Sequence, residues 1–134
     1  MGPQAAILPD GARLHLHHGP IDLVIGADGE RDRAFRAATL RFATVLDELV
    51  AELPLLRQPV TPEAPLPQGA IARRMDAAVR PHCAQFVTRM AAVAGAVAET
   101  VLESMVSDAR LSRAWVNNGG DIALHLSPGT EVTI

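Results

Sequence analysis

Lysine is absent from this chain of 134 residues, and arginine supplies all 12 basic side chains. Without lysine the chain cannot form a lysine Schiff base or use a P-loop lysine, so both of these chemistries are excluded. The 15 acidic residues leave a net charge of -3 at pH 7. Because no basic stretch offers a footprint for a phosphate backbone, we expect no nucleic-acid partner.

Cysteine and long apolar segments are also scarce. Cys83 is the only cysteine, so it has no partner for an internal disulfide. The first residues lack the charged and apolar regions of a signal peptide. The longest weakly polar run, Met90 to Ala98, is far shorter than the ~20 apolar residues that cross a bilayer. We therefore predict a cytoplasmic protein without a membrane span.

The two ends of the chain have the patterns of β-strands. Apolar residues make up 49% of the sequence, enough for a single domain to bury a core. Residues 5–17 alternate around Pro9-Asp10-Gly11, which predicts a hairpin, and residues 21–25 predict a third strand. Near the other end, strands are predicted at 114–116, 122–126 and 131–134.

The middle of the chain has helical spacing. Apolar residues recur every three to four positions from Glu30 to Leu53, which predicts a long helix that Pro54 stops. Five prolines between 54 and 67 predict an extended, semi-rigid linker over residues 54–68. A short helix is predicted over residues 69–79.

A second long helix is predicted over residues 90–105, with Thr88 as its cap. It consists largely of Ala, Val and Gly, so backbone or a ligand can approach it closely. Gly95 costs about 1 kcal/mol of helix propensity relative to alanine, and we expect a packing gain to offset it. The elements together predict an α+β fold with an antiparallel sheet packed on two long helices.

The strongest candidate for a ligand site is a polar turn between the last two long strands. Its glycines can adopt positive φ and leave their backbone amides accessible to a ligand. Its Asn and Asp side chains can hold ribose, phosphate or the edge of a heterocycle. The same residues are also the strongest hairpin signal, so an ordinary turn is the alternative. The candidate residues are Asn117, Asn118, Gly119, Gly120 and Asp121.

Histidine and cysteine provide two further candidates. His15 and His17 project from one strand face beside His18 and could present two imidazoles to a metal, but no third ligand is evident. Solvated histidines on a hairpin are the commoner outcome. His82 and Cys83 suggest a nucleophilic pair, although sequence neighbours rarely face each other.

Arginines provide two candidate anion sites. Thr88, Arg89 and Met90 precede the small-residue helix and could offer a hydroxyl, free N–H groups and a guanidinium to a phosphate. The alternative is an ordinary helix cap with a solvated arginine. Arg73 and Arg74 could also contact phosphate, although adjacent arginines usually form a solvated face.

Four segments together resemble a known family. They are Gly19–Leu23, Phe42–Leu46, Met90–Ala98 and Val116–Ile122. They resemble a prokaryotic ApbE-like protein family with no assigned activity, related to the FAD:protein FMN transferases once called thiamine biosynthesis lipoproteins. The resemblance implies a T-fold-like architecture in which the Asn-x-Gly-Gly-Asp segment lies near a flavin nucleotide. It assigns cofactor binding to Asn117, Asn118, Gly119, Gly120 and Asp121, together with Thr88 and Gly95.

The chain departs from the ApbE pattern in two ways. It has no amino-terminal lipoprotein signal, which agrees with a cytoplasmic location. In the family, the acidic and threonine ligands of magnesium lie in a later half. The resemblance therefore implies that this chain corresponds to the N-terminal half, incomplete at its C-terminus, with magnesium held by residues outside it.

These observations lead to competing functional hypotheses. In the first, the full-length protein binds FAD, FMN or a related nucleotide and acts as a flavin (FMN) transferase. In the second, the chain is a non-catalytic binding or assembly module whose strand at 131–134 pairs with another subunit, as a homo-oligomer or with a second chain. In the third, the chain has no activity of its own.

Overall fold

A computed structural model describes residues 2–129 of the chain. The two ends form strands and the middle forms helices, as the patterning predicts. Single turns of 3-10 helix lie at Arg80–His82 and at Arg89–Ala92. The strands and helices are β1 (Gln4–Ile7), β2 (Leu14–His18), β3 (Ile21–Gly29), α1 (Arg31–Phe42), α2 (Val45–Ala51), α3 (Leu53–Leu56), α4 (Ala70–Val79), α5 (Val93–Asp108), β4 (Leu111–Asn118) and β5 (Asp121–Leu126).

The five strands form one antiparallel sheet in the order β1-β2-β3-β4-β5. Each strand pairs with its neighbour in the chain, and the helices are inserted between β3 and β4. The predicted α+β class, the hairpin and the strands at 21–25, 114–116 and 122–126 are therefore confirmed. The strand predicted at 131–134 lies outside the described residues.

One face of the sheet is covered by helices. Side chains alternate along β2, β3 and β4, so most residues at every second position point to the helices and are buried. All four residues of β1 are exposed, and Ala123 is the one buried residue of β5. Helix α5 packs on β4 and β5, and α1 packs on α5 and β3. The fully buried sheet residues on this face include Leu16, Leu23, Ile25, Ala114 and Val116. Among the described elements, none covers the opposite face, which we call the outer face.

The long helix predicted from Glu30 to Leu53 is wrong, because the chain divides it into α1, α2 and α3. The interruption follows Phe42 and is held by polar side chains. Arg41 Nη1 donates to Glu48 Oε2 at 2.6 Å, and Thr44 Oγ1 donates to the same oxygen at 2.7 Å. Pro54 does not end a helix but occupies the first turn of α3, where its missing N–H costs little.

Residues 54–56 of the predicted linker belong to α3, and we call residues 58–68 the proline-rich segment. This segment is held against the helices by two arginines bound to one carboxylate. Arg89 is completely buried, and its Nε donates to Asp76 Oδ1 at 2.8 Å. Its remaining nitrogens donate to the carbonyls of Leu55 and Pro65 at 3.1 and 2.7 Å. Arg80 also binds Asp76 and reaches the carbonyls of Thr61, Pro62 and Ala64. We call Asp76, Arg80 and Arg89 the buried ion network.

The buried ion network should make the unfolding free energy depend on pH in the acidic range. Hydrogen bonding from Arg80, and then from Arg89, holds the pKa of Asp76 below its ordinary value of 3.8. A lowered folded-state pKa stabilises the fold above the ordinary value, and this contribution is lost as pH falls through the folded-state pKa. We expect the unfolding free energy, measured by urea denaturation, to fall below about pH 4 in the native chain. The Asp76→Ala variant should lack this component of the acid dependence.

The segment Arg89–Asp108 is long and apolar enough to cross a membrane by length and mean hydropathy, contrary to the expectation from the shorter run at Met90 to Ala98. In the structure this segment comprises the second 3-10 turn and α5. Val97, Val101 and Met105 of α5 are completely buried against the sheet and neighbouring helices. These contacts are typical of the core helix of a globular domain.

Candidate functional site

The polar turn joins β4 to β5 as a two-residue hairpin. Asn118 pairs with Asp121, and Gly119 and Gly120 have φ of 61° and 103°. Positive φ at both central residues is the geometry for which glycine is selected in tight hairpins. A Cβ on either glycine would meet no atom within 4 Å, so conformation rather than crowding requires them. The hairpin interpretation is confirmed, and it leaves ligand binding open.

The two asparagines of the turn have different partners. Asn117 Oδ1 accepts a hydrogen bond from the Gly120 amide at 2.8 Å, which stabilises the turn itself. Asn118 projects to the helical side, where its Nδ2 donates to the Ala94 carbonyl at 3.2 Å. This bond connects the turn to the first residues of α5. Asn118 therefore occupies the junction between sheet and helix.

Asn118 lies in the wall of an apolar groove with a volume of about 590 Å³. One side of the groove is formed by α2 and α3, and the other by the second 3-10 turn and the start of α5. The turn between β2 and β3 closes one end. The apolar lining consists of Pro20, Ile21, Leu46, Leu49, Val50, Leu53, Met90, Val93, Ala94 and Val97. We call this cavity the α2–α5 groove.

Two polar side chains complete the α2–α5 groove. Asn118 uses one amide hydrogen on Ala94, which leaves its carbonyl oxygen and second hydrogen for another partner. Arg57 is exposed at the end of α3, and its guanidinium has no hydrogen bond or ion pair within the described residues. An apolar trough with one amide and one cation can hold a ring system that carries an anionic group.

A comparison of the sequence with protein families bears on this site. A family model described as "AbpE bacteria" matches residues 5–134. The chain belongs to this family. No curated protein and no solved structure matches it. The description of the AbpE family names no activity, ligand or partner, so functional conclusions must come from the residues themselves.

The groove brings together only part of the site predicted for this AbpE chain. Asn118 lines it, whereas Asn117, Gly119, Gly120 and Asp121 are not among its lining residues. Arg57, by contrast, was not singled out by any sequence pattern. The only sequence feature that could have indicated a binding role for Arg57 is weak: it is a single arginine that directly follows the leucines of α3 and precedes the proline-rich segment.

Thr88 and Gly95 flank the groove without lining it. Thr88 was predicted to cap the long helix, and it occupies the N-cap position of the 3-10 turn that leads directly into α5, but its side chain makes no capping hydrogen bond. Instead, Thr88 pairs with Pro59 in an isolated bridge. Arg89 cannot serve as an anion ligand, because it is completely buried and each of its three side-chain nitrogens already donates inside the fold.

Gly95 provides a test of whether its small size serves packing. A Cβ at this position would meet nothing within 4 Å, so the expected packing gain is wrong. We expect Gly95→Ala to raise the unfolding free energy by about 1 kcal/mol, the difference in helix propensity. Chemical denaturation would measure it. A destabilised variant would indicate a contact that the open position does not predict.

The other candidates of this AbpE chain have structural partners. His15 Nε2 lies 2.6 Å from Asp22 Oδ1, and the His15 and His17 rings stack with centroids 6.2 Å apart. No group of three or more metal-ligating side chains occurs within residues 2–129. Arg74 binds Glu99 and Glu103 on α5. 

The remaining candidate pairs contribute no assembled site. Arg73 Nε donates to the Pro67 carbonyl at 3.0 Å, so it helps to hold the proline-rich segment. His82 is exposed at the end of a 3-10 turn, and the Cys83 amide donates to the Arg80 carbonyl rather than to His82.

Proposed function

We propose that the α2–α5 groove binds a flavin or a related nucleotide. The observation that carries the proposal is the position of Asn118, which extends from the Asn-Gly-Gly-Asp hairpin into an apolar groove that also contains an unpaired arginine, Arg57, within the described chain. A T-fold-like arrangement of the sheet and a cytoplasmic location belong to the same proposal.

The dimensions and chemistry of the groove fit such a ligand. Its volume of about 590 Å³ lies within the range of roughly 300–1,000 Å³ that small-molecule sites occupy. Leucine, valine and methionine side chains would cover the faces of a ring system. Asn118 would hydrogen bond to the edge of a heterocycle, and Arg57 would neutralise a phosphate.

A bound FAD would supply the FMN group for transfer. An oxygen of the acceptor would attack the FMN phosphorus and lose its proton to solvent, the bond from that phosphorus to the bridging pyrophosphate oxygen would break, and AMP would leave. The residues of this chain would then bind and orient the nucleotide, with placement and charge neutralisation as their contribution to rate. Any magnesium would be held by residues other than those described. We therefore propose nucleotide binding for this chain and flavin transfer for the full-length protein.

The proposal is tested by titrating FMN and FAD into the protein while flavin fluorescence is recorded. We expect saturable binding, and Arg57→Gln should weaken it roughly tenfold because one charge-assisted hydrogen bond is lost. Asn118→Ala should also weaken binding. Val50→Glu, at a residue 55% exposed on the groove rim, should oppose the phosphate without disturbing the core.

Matched variants separate binding from folding. Arg36→Gln removes an exposed arginine of α1 outside the groove and should leave affinity unchanged. Asp121→Asn should have a smaller effect than Asn118→Ala, since Asp121 is not in the groove lining. Identical affinities for the native chain, Arg57→Gln and Asn118→Ala would contradict the proposed site.

An assembly role is the second candidate function. Within the described residues β5 pairs only with β4, so it forms an edge of the sheet. Its Ile122 and Leu124 are 62% and 50% exposed. An apolar edge strand can accept a strand from another subunit. Sedimentation velocity should then show concentration-dependent association that Leu124→Lys abolishes, whereas a monomer at every concentration would exclude this role.

A further inference from the structure

A second cavity lies on the outer face of the sheet, away from the helices and the α2–α5 groove. Its volume is about 370 Å³, and its lining contains three arginines and two aspartates beside the indole of Trp115. The arginines come from three separate elements: the β1–β2 turn, the start of α1 and strand β4. These residues are Arg13, Arg31, Arg113, Asp10 and Asp28. We call this cavity the outer-face pocket.

Trp115 lies directly over Gly26 of the neighbouring strand. A Cβ at Gly26 would fall 2.4 Å from indole Cε2 and 2.5 Å from Nε1, so only glycine admits the ring in this position. The indole N–H has no hydrogen-bond acceptor within residues 2–129. The sheet therefore presents an aromatic surface with an available donor, and such surfaces stack planar rings.

The three arginines keep donors available although each has an intramolecular partner. Arg13 uses Nε on Asp10, and Arg31 uses Nε on the Ala27 carbonyl. Arg113 donates from Nε and Nη2 to Asp28 Oδ2 at 2.9 and 2.6 Å. Each guanidinium has five N–H groups, so most remain open.

The balance of charge in the outer-face pocket favours an anion. Three guanidinium groups face two carboxylates, and the Arg13, Arg31 and Arg113 side chains are 46%, 41% and 42% exposed. The pKa of Asp10 is lowered to about 2, chiefly by a hydrogen bond from the Ala12 amide, so this carboxylate is ionised at neutral pH. It is therefore one of the two negative charges in the pocket. A net positive charge therefore remains beside the indole.

We propose that the outer-face pocket binds a planar aromatic anion, in which one ring carries a carboxylate or phosphate. The ring stacks on Trp115 while the anionic group takes hydrogen bonds from Arg13 and Arg113. This site is separate from the proposed flavin groove, because it is built on the opposite face of the sheet and shares none of its lining residues.

The test is a titration with phenyl phosphate followed by NMR. Trp115 is the only tryptophan, so one indole N–H signal reports on the pocket. We expect a saturable shift of that signal. Benzyl alcohol, which lacks the charge, and inorganic phosphate, which lacks the ring, should each bind at least roughly tenfold more weakly.

Substitutions then show which arginines bind the anionic group of the ligand. Arg13→Gln and Arg113→Gln should each weaken phenyl phosphate roughly fivefold to tenfold, while Arg33→Gln, outside the pocket, should have no effect. Asp10→Asn keeps the acceptor of the Ala12 and Arg13 amides but removes a competing charge, so it should tighten binding.

Two outcomes would overturn the proposal. One is an indole signal that does not respond to about 10 mM phenyl phosphate, a concentration that detects even a very weak site. The other is equal affinity in Arg13→Gln, Arg113→Gln and Arg33→Gln. Arg57→Gln in the α2–α5 groove should leave the response of the indole signal to phenyl phosphate unchanged. The two sites are therefore tested independently, and the flavin proposal can fail while this one holds.

Discussion

Asp76→Ala should lower the unfolding free energy by about 3–5 kcal/mol, the cost of leaving a buried arginine without its carboxylate. Arg89 is completely buried, and Asp76 is its only anionic partner in residues 2–129. The loss should also release the proline-rich segment, because Arg89 and Arg80 bind four of its carbonyls and the Leu55 carbonyl of α3. Urea denaturation with limited proteolysis would measure both effects.

The matched control is Glu99→Gln. Glu99 pairs with Arg74, but its side chain is 60% exposed and water can replace its partner. Exposed pairs contribute typically 0–1 kcal/mol, so this variant should be nearly as stable as the native chain. Equal losses for Asp76→Ala and Glu99→Gln would mean that burial does not set the strength of the network.

Gly29→Ala should be the second strongly destabilising substitution, by roughly 2–4 kcal/mol from backbone strain and overpacking together. Gly29 has φ of 124° at the irregularity where β3 leaves its register with β4. A Cβ there would lie 2.4 Å from the Arg110 carbonyl oxygen. That oxygen also accepts the Glu30 amide at 2.9 Å, so the clash would disturb the start of α1. Thermal unfolding would measure the loss.

Gly119→Ala isolates the conformational part of this effect. Gly119 also has positive φ, at 61°, but a Cβ there meets nothing within 4 Å. The left-handed conformation alone costs roughly 1–2 kcal/mol for an L-residue. Comparable losses at Gly119 and Gly29 would show that the Arg110 contact adds nothing.

Much of the sheet could be predicted from the sequence, because strands and tight turns are specified by residues close together in the chain. Alternation of apolar residues and the turn residues Gly119 and Gly120 specify strands and a hairpin within a few positions. The division of the predicted long helix could not be seen in the sequence. Phe42 and Val45 lie on either side of the break, three positions apart, so the apolar spacing of a helix continues across it. The interruption depends on Arg41, Thr44 and Glu48 side chains, which spacing does not reveal.

The candidate site was less predictable, because it is built from distant segments. Asn118 was identified from the hairpin motif, but its partner Ala94 lies 24 positions away. Arg89 has the sequence context of a solvated arginine, and its burial depends on Asp76 and on carbonyls from the proline-rich segment. Arg57 joins the lining of the groove only when α2 and α3 fold against α5.

The buried ion network and the α2–α5 groove are physically linked. Arg89 Nη1 donates to the Leu55 carbonyl in α3, the short helix that carries Leu53 and leads to Arg57. The network thus supports one wall of the groove, and we expect this support to lower the ordering cost of binding the proposed ligand.

The most direct test of the central claim is an FMN titration of protein with isotope-labelled Leu, Val and Met methyl groups, observed by NMR. We predict saturable shifts at Leu49 and Val93 in the groove, while the methyl signals of Leu66, which is exposed and lines neither cavity, should stay unchanged. Shifts confined to Leu124 and its surroundings, or none at about 1 mM FMN, would contradict flavin binding in the α2–α5 groove.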